Sequence, residues 1–198
     1  MKAKITEGGI WNFHTDTIPE YCYWDQAFTK EECKKIIKLG KDNGLSIAKT
    51  RLKGEIAADI RKSKVLWLRC NEDTHWIFQR LNDIVLDINQ KYYNFDLWGM
   101  HEAIQLTHYN SPGGKYDQHV DKGYQTQIRK LSICVQLSEP NSYEGGDLII
   151  NQGKENKMKR DLGYAVIFPS WTLHKVTAMK KGERWSLVSW IAGPNFRW

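Results

Sequence analysis

The run KLSICVQLS at residues 130–138 decides the fold class, because it is a short segment rich in aliphatic and β-branched side chains. Similar short runs recur from about residue 98 onward, and turn-forming clusters of Gly, Pro, Asn and Ser separate them. The runs are HEAIQLTHY (101–109), KLSICVQLS (130–138), DLIIN (147–151), YAVIFP (164–169) and WSLVSWI (185–191). Five or more short strands in about 100 residues indicate a β-sandwich or barrel, with a jelly roll among the choices.

The first half of the chain has the residue spacing of helices. Thr29 and Glu32 fit a capping box, in which Thr29 is the N-cap of a helix that one of the following glycines ends. A second helix is predicted to begin near Asp73 or Thr74, since apolar residues then recur at three- and four-residue steps. Its apolar stripe is Ile77, Leu81, Ile84, Val85 and Ile88. We therefore expect a helical part over about 1–97 and a β core over about 98–198.

The composition is that of a soluble globular protein. A chain of 198 residues has the length of one domain, so we predict a single domain over 1–198. No window holds the ~20 apolar residues of a membrane span, and the first residues lack the apolar run of a secretory signal. The four cysteines form no CxxC pair, which indicates free thiols in a reducing compartment. A cytoplasmic location without membrane contact is expected.

The charge is basic, with a net value of +6. Lysine and arginine cluster at 61–64, 154–160 and 180–181, and such clusters can indicate nucleic acid or another anionic partner. These clusters are short, are expected in turns, and are interspersed with acidic residues. Nucleic acid is therefore not the expected partner.

The motif His119-Val120-Asp121 is the first candidate for chemistry. Residues i and i+2 of a strand point to the same face, so His119 and Asp121 project together. Two histidines and one carboxylate are the ligand set of non-haem Fe(II) sites that keep open positions. The candidates for the second histidine are His14, His75, His101, His108 and His174. Of these, His174 differs in context, because it follows a strand and a turn and precedes a strand led by an arginine.

From about residue 100 to 193 the sequence resembles the iron- and 2-oxoglutarate-dependent dioxygenases, specifically the prolyl 4-hydroxylase-like branch. The matching motifs are Tyr109, the glycine-containing loop 111–114, Tyr116, the HVD motif, Arg129-Lys-Leu-Ser132, Gly145-Gly146-Asp147, the run 163–168, His174, Arg184 and Trp190. Arg184 lies ten residues beyond His174, where the family places a basic residue. The resemblance implies an α+β fold with a mainly β core, a double-stranded β-helix (jelly roll) with supporting N-terminal helices.

The resemblance also implies cofactors and their ligands. His119, Asp121 and His174 would hold Fe(II), and the co-substrate 2-oxoglutarate would chelate the metal through its keto acid end. Arg184 would bind the far carboxylate of 2-oxoglutarate, since a guanidinium is a bidentate partner for that group. O2 would take the last position on the metal, and ascorbate is the expected reductant.

Three further residues are assigned to the co-substrate by the resemblance. Tyr109 and Ser186 would add hydroxyl donors to the anion that Arg184 binds. Gln136 stands near the co-substrate, where prolyl hydroxylases often have a tyrosine or another hydroxyl. The carboxylate of Asp121 argues for hydroxylation, because related halogenases have a small residue at that position.

The resemblance indicates hydroxylation of a prolyl residue in a peptide or protein, with Tyr116, Arg129 and Trp190 on the substrate side. One alternative is hydroxylation of another protein residue or of a free amino acid. A second is a nucleic-acid demethylase of the AlkB type, but that family has a second arginine where this chain has Trp190. A third is a cupin-like binding module with a non-catalytic metal. The oligomeric state is left open.

Overall fold

The computed structural model describes residues 4–5, 11–12, 17–48 and 59–195. Its helices are α1 (Lys30–Asn43) and α2 (His75–Ile88), with a π-helical turn at Asn89–Tyr93 and a 3-10 turn at Tyr124–Thr126. The strands in the described part are β1 (Lys4–Ile5), β2 (Trp11–Asn12), β3 (Cys22–Trp24), β4 (Ser46–Ile47), β5 (Arg61–Lys62), β6 (Lys64–Leu68), β7 (Ile104–Asn110), β8 (Lys115–His119), β9 (Arg129–Gln136), β10 (Leu148–Asn151), β11 (Glu155–Lys157), β12 (Ala165–Pro169), β13 (Leu173–Val176) and β14 (Glu183–Ala192).

Two antiparallel sheets form the core. The major sheet has seven strands in the order β3-β12-β9-β14-β7-β6-β4. The minor sheet has five strands in the order β11-β10-β13-β8-β5, and β1 pairs with β2 separately. Side chains from both sheets, including Tyr109, Ile150 and Val176, meet in one buried cluster between them. The predicted jelly-roll core with supporting helices is therefore confirmed.

Strand β9 has a continuous apolar sequence because both of its faces are buried. All eight of its residues are buried, since the helices cover one face of the major sheet and the minor sheet covers the other. Leu131, Ile133 and Val135 join the cluster on the helix side. Ser132 and Cys134 point to the opposite face, between the sheets, because side chains alternate along a strand. The polar side chains of the inner face are those available for a site.

Both predicted helices are present. Thr29 caps α1, and the reciprocal hydrogen bonds between Thr29 and Glu32 form the expected capping box. Helix α2 begins at His75, and its predicted apolar stripe is buried throughout. This stripe packs on the helix side of the major sheet in one cluster with the α1 residues Cys33 and Ile36.

The N-terminal part of the chain contains more β structure than its helical spacing predicts. Strands β3 to β6 lie between residues 22 and 68 and extend both sheets. The basic cluster 61–64, expected in a turn, forms β5 and the start of β6. The cluster 154–160 likewise contains β11. These strands are mostly two or three residues long, too short for a period-two pattern, and strands from elsewhere in the chain pair with them.

Two other expectations concern the chain as a whole. In the part of the chain that the structure describes, no helix combines the length and hydropathy needed to span a bilayer. The four cysteines are free: Cys22, Cys33 and Cys134 are buried, and Cys70 is exposed.

Candidate active site

His119, Asp121 and His174 come together at one end of the minor sheet. His119 ends β8 and His174 lies on β13, and these two residues are direct partners in the antiparallel pairing. Asp121 follows β8, where its N–H donates to the carbonyl oxygen of Ser170 over 2.9 Å. The ligand atoms of the three side chains lie within 4.8 Å of one another. Asp121 Oδ1 is 3.9 Å from His119 Nε2, and Asp121 Oδ2 is 3.5 Å from His174 Nε2.

Backbone carbonyls orient both imidazoles. His119 Nδ1 lies 2.8 Å from the Asp117 carbonyl oxygen, and His174 Nδ1 lies 2.9 Å from that of Thr172. A carbonyl only accepts hydrogen bonds, so Nδ1 carries a proton in each ring, and Nε2 faces Asp121. Burial, together with the neighbouring His174, lowers the pKa of His119 to about 3. His119 is thus in the neutral form that a metal requires.

Polar side chains from the inner face of the major sheet hold the carboxylate of Asp121. Ser132 Oγ donates to Asp121 Oδ2 over 2.8 Å and lies 2.9 Å from Ser170 Oγ. Burial acts to raise the pKa of Asp121, but the two imidazoles, the nearby Trp190 N–H and Arg129 outweigh it and keep this pKa below its ordinary value. Asp121 is therefore an anion, and its orientation is fixed.

Arg184 forms a second polar centre on β14. It is 1% exposed, and its Nε donates to Gln136 Oε1 over 3.0 Å. Its Nη2 lies 3.9 Å from the Cys134 sulfur, and its Cζ lies 5.5 Å from the centre of the Tyr109 ring. Among the described residues no carboxylate is within ion-pair distance of Arg184, and its Nη1 has no hydrogen-bond partner. A buried guanidinium in this state has donors available to an anion.

The strand register assembles this pocket. In the major sheet β14 lies between β7 and β9, so Arg184 is paired with Tyr109 on one side and Ser186 with Gln136 on the other. Arg184, Ser186 and Trp190 are separated by even steps and face the inner side together. The four residues assigned to the co-substrate by resemblance therefore lie within one patch of the sheet.

Arg129 lies beside Asp121 and forms an ion pair with Glu102. It forms a bidentate ion pair with Glu102, with both N–O distances 2.6 Å. Its guanidinium also stacks over Trp190, with Cζ 3.7 Å from the ring centre. Arg129 Nη1 lies 3.9 Å from Asp121 Oδ1, so this cluster is continuous with the histidines. The half-exposed Trp67 of β6 packs on Trp190 with ring centres 6.0 Å apart, and its role in this cluster was not predicted.

Tyr116 covers His119 from the β5 side. The two rings stack with their centres 3.5 Å apart. The guanidinium of Arg61 also lies over the Tyr116 ring, with Cζ 4.5 Å from the ring centre. Sequence reasoning assigned Arg61 to a basic turn and missed this position. The pairing of β5 with β8, in which Arg61 is the partner of Tyr116, has no signal in the local sequence.

The other candidate histidines do not join the site. His75 is exposed at the start of α2, and His101 contacts Trp98. His108 stacks on Trp185 and pairs with Glu183. His14 lies outside the described residues.

Known proteins are similar to this chain in sequence. Residues 104–192 match the 2OG-Fe(II) oxygenase superfamily. A PKHD-type hydroxylase of Prochlorococcus marinus is 33% identical over 171 residues, which are 84% of this chain and 75% of that protein. A PKHD-type hydroxylase of Shewanella frigidimarina is 44% identical over a shorter segment of 62 residues, 31% of this chain and 27% of that protein. The chain therefore belongs to the 2OG-Fe(II) oxygenase superfamily.

Solved structures have the same fold. A prolyl-4-hydroxylase of Pseudomonas putida superposes with a TM-score of 0.72 at 20% identity, covering 89% of this chain and 94% of that one. A prolyl hydroxylase of Trichoplax adhaerens, in complex with a hypoxia inducible factor peptide fragment, gives 0.74 at 15% identity, covering 88% and 84%. Membership of this superfamily makes the chain a dioxygenase and implies Fe(II), 2-oxoglutarate and O2 as its reaction partners.

Proposed function

We propose that this chain is a single-domain prolyl hydroxylase acting on a peptide or protein. Its Fe(II) ligands would be His119, Asp121 and His174, and Arg184 would anchor 2-oxoglutarate. The observation that carries the proposal is the combination of a preoriented His-Asp-His cluster with a buried guanidinium, that of Arg184, which has no carboxylate partner among the described residues. A module that only bound a metal would have no use for that guanidinium.

The donor set supports Fe(II). Two neutral imidazole nitrogens and one carboxylate oxygen leave the other side of the ion open. Ser132 and the two backbone carbonyls act on the ligands from outside, and such contacts keep ligands in place before the metal arrives. When bound, the iron would supply the oxidation that inserts one oxygen atom of O2 into a substrate C–H bond, while 2-oxoglutarate becomes succinate and CO2.

The pocket around Arg184 supports a dicarboxylate co-substrate. Its free Nη1 and the buried Ser186 offer donors to a carboxylate, and Tyr109 lies beside the guanidinium. Gln136 accepts from Arg184 Nε and so fixes the guanidinium plane. These residues would bind and orient the far end of 2-oxoglutarate, leaving its keto acid end for the metal.

Arg129, Trp190 and Tyr116 would border the substrate. Arg129 and Trp190 are stacked next to Asp121, and Tyr116 lies on His119, so the three side chains frame the cluster. Flat aromatic and guanidinium faces suit an extended peptide with a proline ring. The prolyl hydroxylases among the solved neighbours, and the peptide bound by the one from Trichoplax, also support a peptidyl proline over a free amino acid.

The experiment is mass spectrometry of a proline-containing peptide library after incubation with the protein, Fe(II), 2-oxoglutarate and ascorbate. We expect one added oxygen on proline, equimolar succinate, and fewer turnovers when ascorbate is omitted. Asp121→Ala should lose both products while Lys34→Ala, an exposed change on α1, retains them. Oxygen added to other residues with no hydroxyproline would contradict the prolyl assignment, and turnover by Asp121→Ala would contradict the metal site.

A further inference from the structure

Arg61 is a buried cation with no anionic partner among the described residues. It is 7% exposed at the edge of the minor sheet. Its Nε donates to Ser63 Oγ over 2.9 Å, a neutral group, and its Nη2 has no hydrogen-bond partner. The guanidinium also lies over the ring of Tyr116. A charge removed from water in this way is unfavourable until an anion reaches it.

The buried arginines differ in whether they have an anionic partner. Three described arginines are more than nine-tenths buried: Arg61, Arg129 and Arg184. Arg129 is neutralised by Glu102. Arg61 and Arg184 each carry one buried nitrogen without a hydrogen-bond partner in the described part of the chain. Arg184 is proposed to bind a carboxylate from outside the chain. The same lack of a partner at Arg61 points to a second carboxylate.

The position of Arg61 places that carboxylate at the active site. Arg61 contacts the Tyr116 ring at 4.5 Å, and this ring stacks on His119 at 3.5 Å. Burial raises the pKa of Tyr109, and the charges of both Arg61 and Arg184 act against that rise, so Tyr109 is near both guanidiniums. Arg184 would bind one end of 2-oxoglutarate and the metal the other. Arg61 is therefore left for the substrate.

We infer that Arg61 binds a carboxylate of the substrate, the side chain of an Asp or Glu close to the hydroxylated residue. This inference rests on the proposed function, because it takes the substrate to be a peptide. It makes Arg61 a residue that determines specificity, since a guanidinium left without its carboxylate disfavours neutral peptides. It also assigns a binding role to the N-terminal part of the chain, which lies outside the residues matched to the superfamily.

The test measures binding without turnover. The protein is loaded with Mn(II) and 2-oxoglutarate without O2, and binding of labelled peptides is followed by fluorescence anisotropy. The probes are proline-centred peptides with Glu scanned over each flanking position, their Gln counterparts, and a matching set with Ala in place of proline. We expect one position at which Glu binds on the order of tenfold or more tighter than Gln.

Three variants connect that preference to Arg61. Arg61→Gln should lose the preference for Glu, and Arg61→Lys should retain part of it, because the charge stays and the bidentate geometry is lost. Lys62→Gln is the matched control: it removes one positive charge from the same strand at an exposed position, and should leave the preference intact. Thermal melting checks the fold of each variant.

The outcomes separate this inference from the proposed function. A preference that Arg61→Gln retains, or a wild-type protein with none, overturns the inference. A preference that depends on Arg61 but is equally strong in the Ala peptides supports the inference and counts against proline as the target. Without peptide, Arg61→Gln should bind 2-oxoglutarate as the wild type does. A loss comparable to that of Arg184→Gln would assign the carboxylate to the co-substrate and overturn the inference.

Discussion

Arg129 and Arg184 lie on adjacent strands of the major sheet and are equally inaccessible to solvent, yet their surroundings differ. Arg129 has a bidentate carboxylate, an aromatic ring and a carbonyl oxygen as partners. Arg184 has one amide oxygen and a sulfur, and one of its nitrogens bonds to nothing in the described chain. The first arginine has its anion within the fold, whereas the second has none among the described residues and is the one proposed to bind a ligand. Burial alone thus does not distinguish a structural arginine from a binding one, and the partners do.

Arg184→Gln should produce the largest effect. It removes the cation proposed to bind 2-oxoglutarate, so the Kd for the co-substrate should rise by roughly 100-fold or more, about 3 kcal/mol. The free energy of unfolding should stay the same or increase, because a buried charge without a partner is removed. Calorimetric titration with 2-oxoglutarate and a urea titration measure the two quantities. Lost stability with unchanged affinity would make Arg184 a structural residue like Arg129.

Glu102→Gln should have the opposite pattern. It removes the bidentate carboxylate of Arg129 and leaves only Asp121, at 3.9 Å, as an anion beside the guanidinium. The free energy of unfolding should fall by about 2 kcal/mol, less than for a fully buried pair since Glu102 is 24% exposed. Affinity for 2-oxoglutarate should change little, because Arg129 lies on the metal side of the site. Glu31→Gln, an exposed change on α1, is the control for loss of one negative charge. If Glu102→Gln instead weakened 2-oxoglutarate binding, the distinction between the two arginines would fail.

His119 differs from both arginines, because its imidazole can be buried as a neutral group by losing a proton. Its pKa is about 3 in the folded protein against an ordinary 6.5, chiefly through burial. As the pH falls below 6.5 the unfolded chain takes up a proton that the folded chain does not. The metal-free protein should therefore lose stability between pH 6.5 and about 3, by up to about 1.4 kcal/mol per pH unit.

That pH dependence is measured by urea titration of the metal-free protein at several pH values. His119→Gln removes the titrating group, so the variant should show a smaller slope over the same range. His75→Gln is the matched control, since His75 is exposed. Equal slopes for wild type and His119→Gln would mean that His119 is protonated in the folded protein.

Trp190→Phe should produce the smallest effect. A phenyl ring retains a flat face under Arg129 but interacts less strongly with a cation, so about 0.5–1 kcal/mol of stability should be lost. Glu102 would still hold the guanidinium, and 2-oxoglutarate binding should be unchanged. A loss of several kcal/mol in thermal or urea unfolding would show that the ring, rather than Glu102, holds Arg129.

The parts of the site that could be predicted are those whose signal is local. His119 and Asp121 are two residues apart, and Arg184, Ser186 and Trp190 follow the alternation of one strand, so their common direction can be read along the chain. The two helices were likewise predicted from spacing and a capping box. Assigning these residues to iron and 2-oxoglutarate required the resemblance, because alternation gives direction and not chemistry.

Arg61 and Trp67 could not be predicted, for a physical reason. They lie on β5 and β6, whose places in the sheets depend on pairing with β8 and β7, dozens of residues later in the chain. A two-residue strand has too few side chains to show alternation, and a cluster of basic residues is typical of a solvated turn. Only the tertiary pairing places Arg61 over Tyr116 and Trp67 against Trp190.

The edge position of β5 has a consequence for how such enzymes diverge. An edge strand is paired on one side only, so its sequence can change without disturbing the hydrogen bonds of the central strands that hold His174 and Arg184. Substitution at position 61 could then change which peptides are accepted while the oxidation chemistry is inherited unaltered. The enzyme would keep its reaction and accept different peptides, and the substitutions responsible would lie in the two-residue strand β5.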